Sequence, residues 1–104
     1  MPPARDLDTG GGRRRVEFQT TPKMSSYLLV FALGDFDRLA NKIDGTEHGI
    51  VTRKGVLSQA AFALESSARI LREFNDYFGT PYPLPKLDNI AAPGSSQFFG
   101  AMEN

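Results

Sequence analysis

Gly100-Ala101-Met102-Glu103-Asn104 closes the sequence and is the stretch whose residue types could do chemistry. Glycine has no Cβ, so a second backbone can approach closely there. A segment that runs from small and apolar to acidic, if it lies on a sheet edge, can pair its free N–H and C=O groups with an extended peptide while one side chain reads what that peptide carries. Glu103 is the candidate reader, because its carboxylate is ionised at neutral pH and attracts a cation. For five residues taken alone, a loop or frayed chain end is the plainer reading. The upstream sequence decides between the two.

Few other residues offer chemistry. The 104 residues include one histidine, His48, and no cysteine. A single histidine cannot build a zinc centre of the HExxH kind, and His48 reads as a surface loop residue. Without cysteine, neither a disulfide framework nor a thiolate metal site can form. Glu73, Asp76 and Asp88 fall on or near a helix and a strand, with no spacing that pairs an acid with a base. Gly10-Gly11-Gly12 lacks the lysine and the following helix that a phosphate-binding loop needs. Twelve basic residues are matched by twelve acidic ones, which removes the electrostatic case for nucleic acid. The longest apolar run, Tyr27 to Leu33, is seven residues, against the roughly 20 of a membrane-spanning helix. Met1 to Asp6 holds no apolar core of a secretory signal.

The elements that must position these residues mix strands with one helix, an α+β composition. Pro2, Pro3 and the glycine triplet make the opening segment loop-like, and Arg13-Arg14-Arg15 reads as a solvated lead-in. Val16-Glu17-Phe18-Gln19-Thr20 alternates apolar with polar and predicts a strand over about 14 to 20, ended by Thr21-Pro22-Lys23. Ser26 to Leu33 is apolar at both parities, the pattern of a strand covered on both faces, though a short buried helix gives the same pattern. Asn41-Lys42 and Asp44-Gly45 are turn signals in a polar stretch, which makes about 38 to 48 the candidate domain boundary. Gly49 to Arg53 predicts a short strand. Ser58 reads as the N-cap of a helix running to about Phe78, with an apolar stripe of Ala61, Leu64, Ala68, Leu71 and Phe78 that Ile70 and Phe74 widen. Gly79 stands where a glycine C-cap belongs. Pro81 to Pro85 is a stiff extended spacer, Leu87 to Ala92 a short strand into Pro93, and Gly94 to Gln97 a loop.

Three blocks together resemble one family: Thr21 to Leu29 through Gly34-Asp35-Phe36, then Asp76-Tyr77-Phe78-Gly79 through Pro81 to Asp88, and the terminal GAMEN pentapeptide. In this order and spacing they are similar to the zinc aminopeptidases that include aminopeptidase N and the puromycin-sensitive aminopeptidases. With their connections they span nearly the whole chain. Pro93 to Gly100 departs from the family pattern, lacking the Pro-Asp-Phe lead-in and carrying Gly94 where aspartate is common.

The resemblance implies that residues 1–46 are the end of an N-terminal β-rich domain and residues 47–104 the strand-helix-strand start of a thermolysin-like catalytic domain. It also implies an internal fragment that ends before the HExxH helix and its downstream glutamate. Zinc would then belong to the complete enzyme, with no metal ligand and no catalytic residue in this chain. Glu103 would hold the α-ammonium of a peptide with a free N-terminus. Gly100 and Ala101 would align the peptide backbone, and Met102 and Asn104 would fix the strand. Partners would be the peptide and the remainder of the catalytic domain. The rival expectation is a non-catalytic peptide-binding module or pseudo-peptidase.

Overall fold

The structure is a computed structural model and describes residues 1–92. Strand β1 spans Pro3–Gly10 and β2 spans Arg13–Phe18. They form an antiparallel ribbon in which Gly10 faces Arg13. Gly11 and Gly12 make the two-residue turn, both with positive φ (62° and 71°), the geometry that matches the twist of a hairpin and that residues with a Cβ adopt at a cost. Of the glycine triplet, Gly11 and Gly12 are thus a hairpin turn and Gly10 ends the strand, and residues 3–10, expected as loop, are a strand. Arg13-Arg14-Arg15 lies within β2. Across the ribbon Arg14 pairs with Asp6, and Arg5 Nη2 stands 2.8 Å from a Glu17 carboxylate oxygen.

The expected strand at Ser26–Leu33 does not form. Ser26–Leu28 makes a single 3₁₀ turn, and the residues after it run on outside any strand, with Phe31 86% and Leu33 fully exposed. A strand apolar on both faces needs neighbours on both, and no strand of the described residues pairs with this segment.

The second sheet orders its strands β3-β4-β5: β3 is Phe36–Ile43, β4 Thr46–Arg53 and β5 Lys86–Ile90. β3 and β4 are antiparallel in register from Phe36↔Arg53 to Ile43↔Thr46, closed by Asp44-Gly45, again with both φ positive. The turn signals near 38–48 therefore lie in a hairpin: Asn41-Lys42 is inside β3, and Asp44-Gly45 is its tip. β5 runs parallel to β4, from Glu47↔Lys86 to Val51↔Ile90. Between them lie a 3₁₀ turn, Leu57–Gln59, and helix α1, Ala60–Phe78. The fold is α+β, and β4-α1-β5 is its strand-helix-strand unit.

Ser58 is not the N-cap of α1. It lies inside the 3₁₀ turn, which extends the helix backwards, so the cap position falls to Gln59, with no side-chain cap bond. Gly79 does end the helix, in the left-handed region, its N–H donating to the Asp76 carbonyl at 3.1 Å. The buried stripe is narrower than the sequence suggests. Ala60, Ala68 and Leu71 are buried and Leu64 half-buried, while Ala61, Ile70, Phe74 and Phe78 are exposed. Three strands cover only one side of a helix. Ile43, Ala68 and Leu71 form the core cluster, with Tyr82 and Leu87 packed against it. The proline-rich spacer is held at both ends: Asn75 Oδ1 accepts from the Tyr82 N–H at 2.9 Å, and the Pro85 carbonyl accepts from the Glu47 N–H at 2.9 Å.

Candidate functional site

Gly100, Ala101, Met102, Glu103 and Asn104, like Gln97 and the loop expected before them, lie outside the described residues. What the structure does define is the sheet that leads toward them. β5 is held on β4 along its length, and past its end the Ala91 N–H donates to the Val51 carbonyl at 2.9 Å. Two side-chain clusters, one on each face of this sheet, fix β5, and the sequence reading anticipated neither.

The first lies on the face away from α1. Arg38 of β3 reaches across β4 to Asp88 of β5, with Nη2 2.8 Å and Nε 3.2 Å from Oδ1, and its Nη1 stands 2.6 Å from Glu47 Oε1. Lys86 Nζ lies 3.0 Å from Asp88 Oδ2. Burial pushes the Asp88 carboxyl up, but Arg38 and Lys86 together outweigh it and hold the group below its ordinary value. Arg38 and Asp88 meet only because nothing projects from the strand between them. A Cβ at Gly49 would stand 2.5 Å from Asp88 Oδ1 and 2.8 Å from Arg38 Nε. Gly49→Ala is expected to push the pair apart. The atoms displaced are side-chain ends, so the loss of stability is limited to roughly 1 kcal/mol, the scale of a partly screened ion pair. A double-mutant cycle of Arg38→Ala with Asp88→Ala should show that coupling in wild type and lose it in the Gly49→Ala background.

The second cluster lies under α1. His48, expected on a surface loop, is fully buried in β4, because the even-numbered residues of β4 face the helix. Its Nδ1 is 3.1 Å from Asn41 Oδ1 on β3; its Nε2 is 2.9 Å from Ser67 Oγ on α1 and 3.3 Å from Asn89 Nδ2 on β5. Asn41 Oδ1 can only accept, so Nδ1 carries the proton and Nε2 accepts. Ser67 Oγ lies 2.6 Å from the Ala63 carbonyl, which takes its hydroxyl proton, so the Asn89 amide is the donor to Nε2. Burial pushes the His48 pKa below its ordinary value.

Ser67, His48 and Asn41 share the connectivity of a nucleophile, a base and an orienting amide. Two features exclude that use. The Ser67 proton is committed to a carbonyl of its own helix, and Ser67 sits in mid-helix, where backbone N–H groups are taken by carbonyls four residues earlier and none can stabilise an oxyanion. The cluster is a structural tie.

Beside it, an open groove of about 390 Å³ runs between β3 and α1, lined by Leu39, Asn41, Leu64, Ala68, Arg69 and Arg72 among others. Its charged lining residues include Glu65, which is paired with Arg69 in the exposed i,i+4 ion pair of α1. No three His, Asp or Glu side chains among the described residues are grouped to hold a metal ion, and no helix among them is long and apolar enough to cross a membrane.

Comparison with known proteins supplies the rest. Residues 62–104 match the Peptidase family M1 domain. Along all 104 residues the chain is 42% identical to an Aminopeptidase N of Acetobacter pasteurianus, of which it spans 29%. It is 46% identical over 92 residues to Aminopeptidase M1-A of Oryza sativa subsp. japonica, and 42% identical over 95 residues to a Puromycin-sensitive aminopeptidase of Caenorhabditis elegans, covering 10% of each. The chain is thus similar to members of peptidase family M1, and it corresponds to less than a third of the length of these relatives.

Proposed function

We propose that this chain is the amine-recognising part of a zinc-dependent aminopeptidase, in which Glu103 holds the α-ammonium of the peptide so that only the N-terminal residue is released. One observation carries the reading: the M1 match runs through the terminal pentapeptide, in a chain that aligns from end to end with a protein named Aminopeptidase N. Ionised Glu103 and a protonated α-amino group are both the major forms near neutral pH. In this reading Gly100 and Ala101 align the peptide backbone, and Met102 and Asn104 hold the strand. The division into an N-terminal β-rich part, 1–46, and the start of a thermolysin-like domain, 47–104, belongs to the same proposal. The β3–β4 hairpin spans that junction, so the two parts share one sheet.

The zinc does not fit the described residues. Their one histidine is enclosed by Asn41, Ser67 and Asn89, and the carboxylates of Asp88 and Glu47 are engaged by Arg38. The chain's own contribution is therefore recognition.

The test is hydrolysis of aminoacyl anilides by the complete polypeptide that carries this chain. Substrates with a free amine should turn over and their N-acetyl counterparts should not, while the 104 residues alone should hydrolyse neither, with or without added zinc. Equal turnover of blocked and free substrates would overturn the assignment of Glu103. Peptide binding by the complete polypeptide without turnover would make it a docking module.

A further inference from the structure

We propose that His48 is a proton-operated latch: uncharged, it ties β5 to β4 beneath α1, and on taking a proton it drops that tie and loosens β5 while the β3–β4 hairpin holds. This goes beyond peptide recognition and stands without it.

In its neutral form the buried ring is matched on both sides, with the Nδ1 proton facing Asn41 Oδ1 at 3.1 Å and the Nε2 lone pair facing the Asn89 amide at 3.3 Å. Protonation turns Nε2 into a donor. Ser67 Oγ, whose own proton goes to Ala63, can receive it at 2.9 Å, so α1 keeps its contact. Asn41 keeps its own, because Nδ1 was a donor already. Asn89 alone is left with an N–H aimed at an N–H, and it must give up that contact or turn its amide over to compete with Ser67 Oγ for the one new proton. Asn89 lies on β5, opposite Ile50 in the register. The strand that loses its partner is thus the one joined to β4 across the longest span of chain.

The charged groups that act on the ring do not rescue the imidazolium. Asp88 on β5 favours the charge and Arg38 on β3 opposes it, and they are paired with each other at 2.8 Å. From α1 the facing group is the Ser67 hydroxyl. Burial, the largest influence, holds the His48 pKa below the ordinary value of about 6.5. The sign follows. A group whose folded pKa is depressed contributes stability that is fully present above the unfolded value and is lost as pH falls below it. The window opens at about pH 6.5 and extends down to the folded pKa, with the folding equilibrium constant falling by up to about tenfold per pH unit, the limit for one proton taken up. Asp88 acts only on the more acid side, below the ordinary aspartate value of about 3.9, so the two effects separate.

His48 is the one histidine of the chain, so its ring signals in NMR are unambiguous. In the full chain, urea unfolding at pH 7.5 and 5.5 should show a lower midpoint at 5.5. His48→Gln should flatten that difference. Asn89→Asp, which sets a carboxylate against Nε2, should raise the ring's titration midpoint and flatten it too. At pH 5.5, after correction for intrinsic exchange rates, amide protection should fall in Leu87–Ile90 before it falls in the β3–β4 pairs. A His48 ring titrating at or above 6.5 in the wild type, an unchanged pH dependence in Asn89→Asp, or simultaneous loss of protection in β3 and β5 would each overturn the latch. Should His48→Gln fail to fold, the wild-type titration, the exchange pattern and Asn89→Asp still decide.

Discussion

Glu103→Ala in the complete polypeptide is expected to lower kcat/KM for a free-amine substrate by about 10²- to 10³-fold. Opposite unit charges about 4 Å apart in an effective dielectric near 20 attract by about 4 kcal/mol. Desolvation of the two groups takes part of that away. If about 3 to 4 kcal/mol remains, the loss is two to three powers of ten, since about 1.4 kcal/mol corresponds to tenfold. Glu103→Gln keeps the shape and removes the charge, so it should recover only the hydrogen-bonding share. The contrast between substrates is the sharper readout. An N-acetyl substrate never makes the ion pair, so it should stay without turnover in wild type and variant alike, and the loss should be confined to the free amine. Steady-state kinetics of both substrates on both variants measure this, and an unchanged kcat/KM for the free amine would remove Glu103 from its role.

Leu71→Ala should be among the most damaging substitutions in the described core, at about 2 to 5 kcal/mol. Leu71 is one of three residues in the central cluster, and a domain's whole stability is only about 5 to 15 kcal/mol. Phe62 gives the control. Nine residues earlier at 3.6 per turn, it lies on the opposite side of α1, where it is 80% exposed. Phe62→Ala should change stability by less than about 0.5 kcal/mol. Urea denaturation of the full chain followed by circular dichroism tests the pair. Equal losses would mean that both sides of α1 are covered in solution.

The helix and its end were legible because they rest on local rules: a repeat of three and four over 60–78, and a glycine at 79 whose conformation other residues resist. β2 was legible from its alternation, and β5 as a short run that ends at a proline. His48 was not. The residues of β4 that face α1 are Thr46, His48, Ile50 and Thr52, and a buried row with one apolar member carries no hydrophobic alternation. Its burial is made possible by Asn41, Ser67 and Asn89, which come from three other elements, and no spacing within the chain announces that meeting. Ser26–Leu33 failed in the opposite sense. Its apolar pattern is that of a covered strand, but whether it pairs depends on neighbours that a one-dimensional pattern does not contain. The Arg38–Asp88 pair was hidden likewise, since it depends on an absent side chain at Gly49. The pentapeptide was legible as a motif, by resemblance, and its geometry is outside the described residues.

The connection between β4 and β5 has a consequence for the order of assembly. Ile43 and Thr46 are closed by a two-residue turn, and hairpins of this kind form within about 1–10 μs. β5 pairs with a strand that ended at Arg53, after residues 54–85 have intervened, and long-range parallel pairing is intrinsically slow. During synthesis, then, the hairpin can stand ready as a template while the helix is still emerging. The third strand is added only when the crossover is complete, so β5 is the last of the three strands in this sheet to be anchored.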